Sequence, residues 1–231
     1  MQRLDLLARR LRRQAPAHRS PPPADARTPA VGLDFAPSAA PWCVMSDATT
    51  RVSVRRATVD DAEALAELTR GLNAHQGDPV GNFSAAVARR DGFGATPCWT
   101  ALIAERDGEP VGYAMFHAAY DAPHAARGLY LQDLFVREDA RRLGVGRALM
   151  AAVAREARQA GCIFFWWTAK QWNTEALAFY RALGATADTV VAHALFGPAF
   201  DRLIDGAAPS DSQPTPKAPA TRRPRSRTRL H

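Results

Sequence analysis

Between residues 129 and 159 a strand-like run passes through a glycine turn into a long helical pattern, and this unit limits the fold more than any other part of the chain. Residues 129–136 are mostly apolar, broken by Gln132-Asp133. Next come Arg141-Arg142-Leu143-Gly144-Val145-Gly146-Arg147, and from 143 to 159 apolar positions recur every three or four residues, with Gly161 as the stop. A short apolar run suits a buried strand, and the longer period suits an amphipathic helix. Each must bury a face, which commits the chain to a sheet with helices laid on it.

The neighbouring segments fit that plan. Residues 51–57 alternate apolar and polar, as a half-buried strand does. Thr58 with Asp61 forms a capping-box-like start for a helix to about residue 74, with Ala62, Leu65, Ala66, Leu68 and Leu72 on its apolar side. A second helix is expected over 84–90, stopped by Asp91-Gly92. Residues 99–105 and 111–118 flank Asp107-Gly108 and read as a hairpin. Strands are also expected at 162–168 and 190–196, and a short helix at 173–183 closed by Gly184. The order is β-α-α-β-β-β-α-β-α-β, an α/β (or α+β) sheet protein with one core and no internal repeat.

The net charge of +7 is not spread along the chain. Residues 1–45 carry seven Arg against three Asp, and residues 206–231 carry five Arg and one Lys against one Asp. The stretch 46–205 is slightly acidic, and 12 of the 17 prolines lie in the two ends. We therefore expect a domain at 46–205 between a disordered basic head (1–45) and a disordered basic tail (206–231), both too poor in apolar residues to offset ordering entropy. Leu4, Leu7 and Leu11 lie at helical spacing among arginines, without the continuous apolar stretch of a secretory signal. Met45 directly precedes the first strand-like segment, which suggests translation from that methionine. Cys43, Cys98 and Cys162 show no paired spacing and fit free thiols in a reducing cytoplasm rather than a metal site. No apolar run reaches the roughly 18 residues of a membrane span.

A helix N-terminus exposes unpaired amides and the positive end of its dipole. Glycines there let the backbone approach a pyrophosphate, and arginines add charge-assisted bonds. The same residues also suit a plain tight turn between strand and helix.

Context favours the first reading. Arg141-x-x-Gly144-x-Gly146 between strand and long helix is similar to the signature of the GNAT superfamily of acyl-CoA N-acyltransferases. Asp91-Gly-Phe-Gly94, Val111-Gly-Tyr-Ala-Met115, Tyr120-Asp121, Leu129-Tyr-Leu-Gln-Asp-Leu-Phe-Val136, Trp172-Asn173 and Phe179-Tyr-Arg-Ala-Leu-Gly-Ala185 resemble its spermidine/spermine (diamine) acetyltransferase branch, in the branch's order, over about residues 52–200. The resemblance implies a mixed, mostly antiparallel twisted sheet flanked by helices, with acetyl-CoA as co-substrate and no metal. It implies that freed backbone at Leu134, Phe135 and Val136 pairs with pantetheine, that the loop from Arg141 binds the cofactor with the pyrophosphate on Arg142, Leu143, Gly144, Val145, Gly146 and Arg147, and that Asn173 and Ala176 line the far side of the pantetheine arm. It further implies direct attack by an amine, with Tyr180, of reference pKa about 10, handing its proton to the departing thiolate. A homodimer is likewise carried over from the branch.

The chain departs from polyamine-acetylating members at Gln76 and Gln132, where they place carboxylates. Glutamine cannot accept an amine's proton at neutral pH, and each lost charge-assisted bond weakens polycation binding by roughly 1–3 kcal/mol. Asp121 and Asp133 remain, so a diamine or polyamine stays open as acceptor but is disfavoured, and a small monoamine, an amino acid or its thia-analogue, or an aminated drug-like compound fits at least as well. Asp133, His75 and His117 are candidate bases, His75 at a substrate-side position. Trp166 and Trp167, adjacent in a strand, face opposite sides, so one can pack in the core while the other lines the acceptor pocket. Two other readings are a protein lysine or N-terminal acetyltransferase and a non-catalytic acyl-CoA-binding module. The latter could be tethered to nucleic acid through Arg222, Arg223, Arg225, Arg227 and Arg229, although a solvated tail without nucleic acid is the preferred reading.

Overall fold

The computed structural model describes residues 52–206 and the short strand β1 (Trp42–Val44). The leucine-arginine head, Met45 and the arginine tail lie outside the described residues. Contacts divide the chain into a unit ending at Gly184 and one beginning at Ala185.

Period-two alternation builds the first unit. In β3 (Thr100–Arg106), Ala101 and Ile103 face one side while Leu102 and Ala104 face the other, and all four are buried. Strand β3 therefore lies in the middle of a sheet covered on both faces. The sheet runs β1, β2 (Val52–Arg56), β3, β4 (Glu109–Asp121), β5 (Ala126–Val136), β6 (Phe164–Trp166) in that spatial order. Every pairing is antiparallel except β5 with β6. Asp107 and Gly108 turn β3 into β4, both with positive φ (55° and 88°), the two-residue hairpin geometry that matches strand twist.

The parallel β5–β6 pair needs a crossover, which α3 (Val145–Gln159) supplies. Its Val145, Leu149 and Val153 pack on Leu102, Phe116, Leu129 and Leu131. The other face is covered by α1 (Ala62–Gln76), whose Leu65, Leu68 and Leu72 pack on Ile103, Tyr113, Met115 and Phe135; α2 (Ala85–Phe93) lies beside α1.

The capping box ahead of α1 is present: Thr58 N donates to Asp61 Oδ2 at 2.7 Å. Asp61 also accepts from Arg55 at 2.7 and 2.8 Å. Burial pulls the Asp61 carboxyl upward, but the Arg55 and Thr58 hydrogen bonds outweigh it and hold the group below its usual range. On the opposite face Glu156 of α3, 1% exposed, takes two bonds from Arg56 of β2 and ties the crossover helix to the sheet.

Several boundaries differ from expectation. Helix α2 runs through Asp91-Gly92 to Phe93, because Gly92 is a packing position and not a stop: a Cβ there would lie 2.1 Å from the Trp99 ring. Strand β4 extends to Asp121, and β6 is only three residues long. Trp42–Val44, within the stretch assigned to the head, pairs with β2. In the second unit residues 190–196 form no strand, and Val190, Val191, Leu195 and Phe196 are exposed. Apolar content there favours extension, but a strand exists only where a ladder partner completes it. Among the described residues of this unit the regular element is α5 (Pro198–Ile204).

Candidate active site

Strand β5 spans 11 residues, yet β6 pairs with only Gly128, Leu129 and Tyr130. From Leu131 to the end of the strand, the side of β5 toward β6 has no ladder partner among the described residues, which leaves backbone amides and carbonyls able to accept a foreign strand-like molecule. Opposite, β4 pairs through to Val136, with an irregularity that matches Met115 to Asp133 and Phe116 to Leu131. Gln132 is the extra residue of a bulge. The bulge re-aims its neighbours: Leu131 goes to the α3 face and Asp133 to the α1 face, although two residues apart they would ordinarily share one.

The open edge leads into the glycine turn. Arg142 adopts φ 63° and Gly144 φ 82° before α3 begins. Arg142 is not glycine, so its left-handed backbone costs on the order of 1–3 kcal/mol, a strain typical of ligand-binding turns. Ala148 N bonds back to Gly144 O at 2.9 Å, and no side chain caps the amides ahead of it. The side chains of Val145 and Phe135 are in the core, so these two residues can offer only backbone. Arg141 donates to Val136 O at 3.2 Å. Arg141 and Arg142 each lie 3.9 Å from Glu175. Leu143 and Arg142 are exposed beside the turn, as is Arg147. Gly146 serves packing as well as access, since a Cβ there would meet the Phe179 ring at 3.3 Å.

Phe179 and Tyr180 belong to α4 (Thr174–Ala182), which Asn173 caps by accepting from Ala176 N at 3.1 Å. Tyr180 packs with Leu134 and Val136 against the α3-side core, its ring 5.0 Å from Trp167. Burial pushes its phenol pKa up, so it stays protonated and able to donate. Its hydroxyl makes no hydrogen bond among the described residues.

The groups on the other face come from more elements. Asp133 accepts from Tyr113 Oη at 3.0 Å, and burial raises its carboxyl pKa. Gln132 is exposed in its bulge. Gln76 ends α1, and the His75 ring lies 6.1 Å from Trp172, whose loop is also tied back by Lys170, 3.8 Å from Asp78. His117, Tyr130 and Trp166 form an aromatic row across β4, β5 and β6, with centroids 5.3 and 4.8 Å apart. Trp166 and Trp167 do face opposite sides, the first half-exposed beside Tyr130 and the second against Phe165 and Tyr180. Asp121 is not brought to this group. It bonds His124 at 2.6 Å near the hairpin tip, six residues along β4 from the partner of Asp133, roughly 20 Å at strand rise.

Sequence reasoning missed Tyr130, Trp172, Tyr113 and Thr69. A signal existed for Thr69, a lone hydroxyl on the leucine face of α1. Among the described residues no three His, Cys, Asp or Glu are grouped to hold a metal, and no helix is long and apolar enough to cross a membrane.

A profile of the acetyltransferase (GNAT) family matches residues 68–185. The bovine (Bos taurus) thialysine N-epsilon-acetyltransferase is 33% identical over 144 residues, covering 58% of this chain and 84% of its own length. The L-ornithine N5-acetyltransferase of Arabidopsis thaliana is 38% identical over 74 residues, 32% of each chain. In fold, an aminoglycoside N-acetyltransferase solved in complex with CoA superposes with a TM-score of 0.55 at 22% identity, over 65% of this chain and 99% of that one. The profile spans the bulged strand, the glycine turn and α4 together, and the chain belongs to the acetyltransferase (GNAT) family as an acetyl-CoA-dependent N-acetyltransferase.

Proposed function

We propose that the chain acetylates the side-chain amine of a small amino acid or its thia-analogue, by direct attack on the thioester. The observation that carries this reading is the open edge of β5 running into the uncapped N-terminus of α3, with Tyr180 packed beside the same residues. Bound acetyl-CoA supplies an activated acyl group as a thioester. Backbone at Leu134, Phe135 and Val136 holds the pantetheine amides. Amides of the 141–147 turn, with Arg142 and Arg147, take the pyrophosphate, and Asn173 and Ala176 border the arm.

On the acceptor side Asp133 takes the ammonium proton, and the neutral amine forms the new N–C bond. As the C–S bond breaks, Tyr180 hands its proton to the departing thiolate, and the surplus N–H proton of the newly acylated nitrogen is released through solvent, which restores the phenol. His75, Gln76, Gln132 and Trp166 border the acceptor, with Trp167 supporting Tyr180 from behind. An amino-acid acceptor accords with the named activities of the thialysine and ornithine relatives. It also accords with the neutral Gln76 and Gln132, which suit one ammonium better than a chain of them. A cytoplasmic homodimer completes the reading. Free Cys98 and Cys162 suit a reducing compartment, and exposed Val190, Val191, Leu195 and Phe196 give a second copy apolar surface to cover.

The test is CoA release by the full chain with thialysine, lysine, ornithine, spermidine and spermine. Turnover led by the amino acids is expected. Tight acetyl-CoA binding with no CoA release from any amine would overturn the proposal in favour of a binding module.

A further inference from the structure

The Gln132 bulge does more than turn Asp133 toward α1, because it sets the carboxylate against one particular buried group. On that face Tyr113 pairs with Phe135 and Met115 with Asp133, so Tyr113 and Asp133 are diagonal neighbours, within reach of a long side chain. Without the extra residue, position 133 would point with Leu131 to the α3 face, and the two could not meet. The Tyr113 hydroxyl donates to Asp133 Oδ2 at 3.0 Å. Its ring is wholly buried among Leu65, Leu68, Leu72 and Phe135. Phe135 in turn is pressed onto α1 at Gly71, where a Cβ would lie 2.8 Å from the ring. The other carboxylate oxygen, Oδ1, bonds to no group among the described residues and is not sealed from solvent. One oxygen is therefore held by the core and the other is open.

An aspartate carboxyl turns about a broad, two-fold torsion, so one that nothing holds samples several settings. Proton transfer needs an oxygen lone pair aimed at the amine within hydrogen-bond reach. A phenylalanine at 113 would fill the same apolar space with no polar atom to satisfy. The hydroxyl therefore finds its use in the bond it gives to the one carboxylate of β5. We propose that Tyr113 is a positioning residue of the transfer: its hydroxyl, fixed by the core, holds Oδ2 of Asp133 so that Oδ1 is the oxygen presented to the acceptor amine. The acceptor ammonium gives its proton to Oδ1, breaking N–H and forming O–H. That proton passes on to solvent while the bond from Tyr113 stays in place. Tyr113 keeps its own proton, because burial and then the neighbouring carboxylate push its pKa up. It thus orients and never transfers, unlike Tyr180. Tyr113 acts through Asp133, so its role rests on Asp133 being the proton acceptor of the reaction.

Few other groups compete for this carboxylate. Of the ionisable groups on the elements packed around Asp133 (Glu63, Glu67, Arg70 and His75 on α1, Tyr113 and His117 on β4, Arg127 and Tyr130 on β5), Tyr113 alone bears on its charge, with burial as the larger influence. Tyr113→Phe keeps the ring and removes only the donor to the charged form. Two effects should follow together. The titration midpoint of Asp133 should move up by about one pH unit, the size of one hydrogen bond to a charged group. The plateau kcat with thialysine should fall on the order of tenfold, because the freed carboxyl meets the amine in the right setting less often. A role confined to core packing would produce neither.

The experiment pairs a carboxyl-carbon NMR titration of the full chain labelled at aspartate with pH profiles of thialysine acetylation. The Asp133 signal is assigned by its loss in Asp133→Asn. A raised midpoint in Tyr113→Phe, an acidic limb of kcat/KM raised with it, and an unchanged Kd for acetyl-CoA support the assignment. So does the absence of any further kcat loss from Tyr113→Phe once Asp133 is Asn, because Tyr113 then acts only through Asp133. An unmoved midpoint in Tyr113→Phe, or an equal kcat loss with and without the carboxylate, overturns it. Asp133→Asn kinetics separate the two levels. A variant that keeps wild-type kcat and the acidic limb of its pH profile removes Asp133 as proton acceptor and Tyr113 with it. An Asp133→Asn variant that loses turnover, beside an unmoved midpoint in Tyr113→Phe, removes only the role of Tyr113.

Discussion

The two sides of the β5 bulge are built from different materials. Toward α3 the site is backbone: an unpaired strand edge, a strained turn and uncapped amides, all within residues 131–147. Toward α1 it is side chains, drawn from α1, β4, β5, β6 and the loop before α4. Backbone hydrogen-bonding groups are the same in every residue, so the first side tolerates sequence change wherever the glycines and the register survive. The second changes with each substitution. A fold built this way can keep one donor while its acceptor varies, and the bulge at Gln132 is where the two designs meet.

The sharpest way to break the contrast is Tyr180→Phe, which removes chemistry without touching either binding surface. We expect kcat to fall on the order of 10²-fold or more with KM for acetyl-CoA unchanged, the scale of lost general acid catalysis. Steady-state rates across pH check it, and wild-type turnover throughout would end the assignment. On the acceptor side, Gln132→Glu should shift the spermidine-to-thialysine ratio of kcat/KM about tenfold toward the polyamine, one charge-assisted bond's worth. Acetyl-CoA affinity should not move. An unchanged ratio would mean that the bulge does not face the acceptor.

On the donor side, Gly144→Ala forces a side chain onto φ 82° with open space around it. The expected result is a several-fold rise in the Kd for acetyl-CoA by calorimetry, corresponding to about 1 kcal/mol of backbone strain, with acceptor preference kept. A change in acceptor preference instead would show that the two sides are not separable.

The smallest effect concerns stability. Burial raises the folded-state pKa of Asp133 above its ordinary 3.8. The folded chain then holds this proton more tightly than the unfolded chain, so this group's contribution to stability falls as pH rises from the ordinary value through the folded one, and stays low above it. Asp133→Asn should therefore raise Tm at neutral pH by about 2 °C and leave it nearly unchanged well below pH 4. Equal Tm values at neutral pH would mean that the charged carboxylate is not strained by its site.

The difference between the sides also governs what could be read in advance. The strand, turn and helix of the donor side are contiguous, and their signals (an apolar run, Gly144 and Gly146, a three-and-four period) lie within thirty residues. Thr58 with Asp61 as a capping box and Asp107-Gly108 as a hairpin turn were legible for the same reason, because each acts on backbone a few residues away. Gly92 shows the limit. Its identity suggested a helix stop, but the Trp99 ring, which arrives only when α2 folds over it, makes it a packing position. Residues 190–196 show the same limit in reverse, where extended propensity met no ladder.

Local sequence determined which segments are strands and helices in residues 52–184, and where an anion could meet a helix end, since these follow from short-range periodicity and backbone chemistry. Tertiary structure alone decided that β6 stops after three residues and frees the edge of β5, that a bulge turns Asp133 toward α1, and that the Tyr113 hydroxyl meets it there. Strand register and helix docking are sums over many distant contacts, and a one-residue slip carries a side chain to the opposite face.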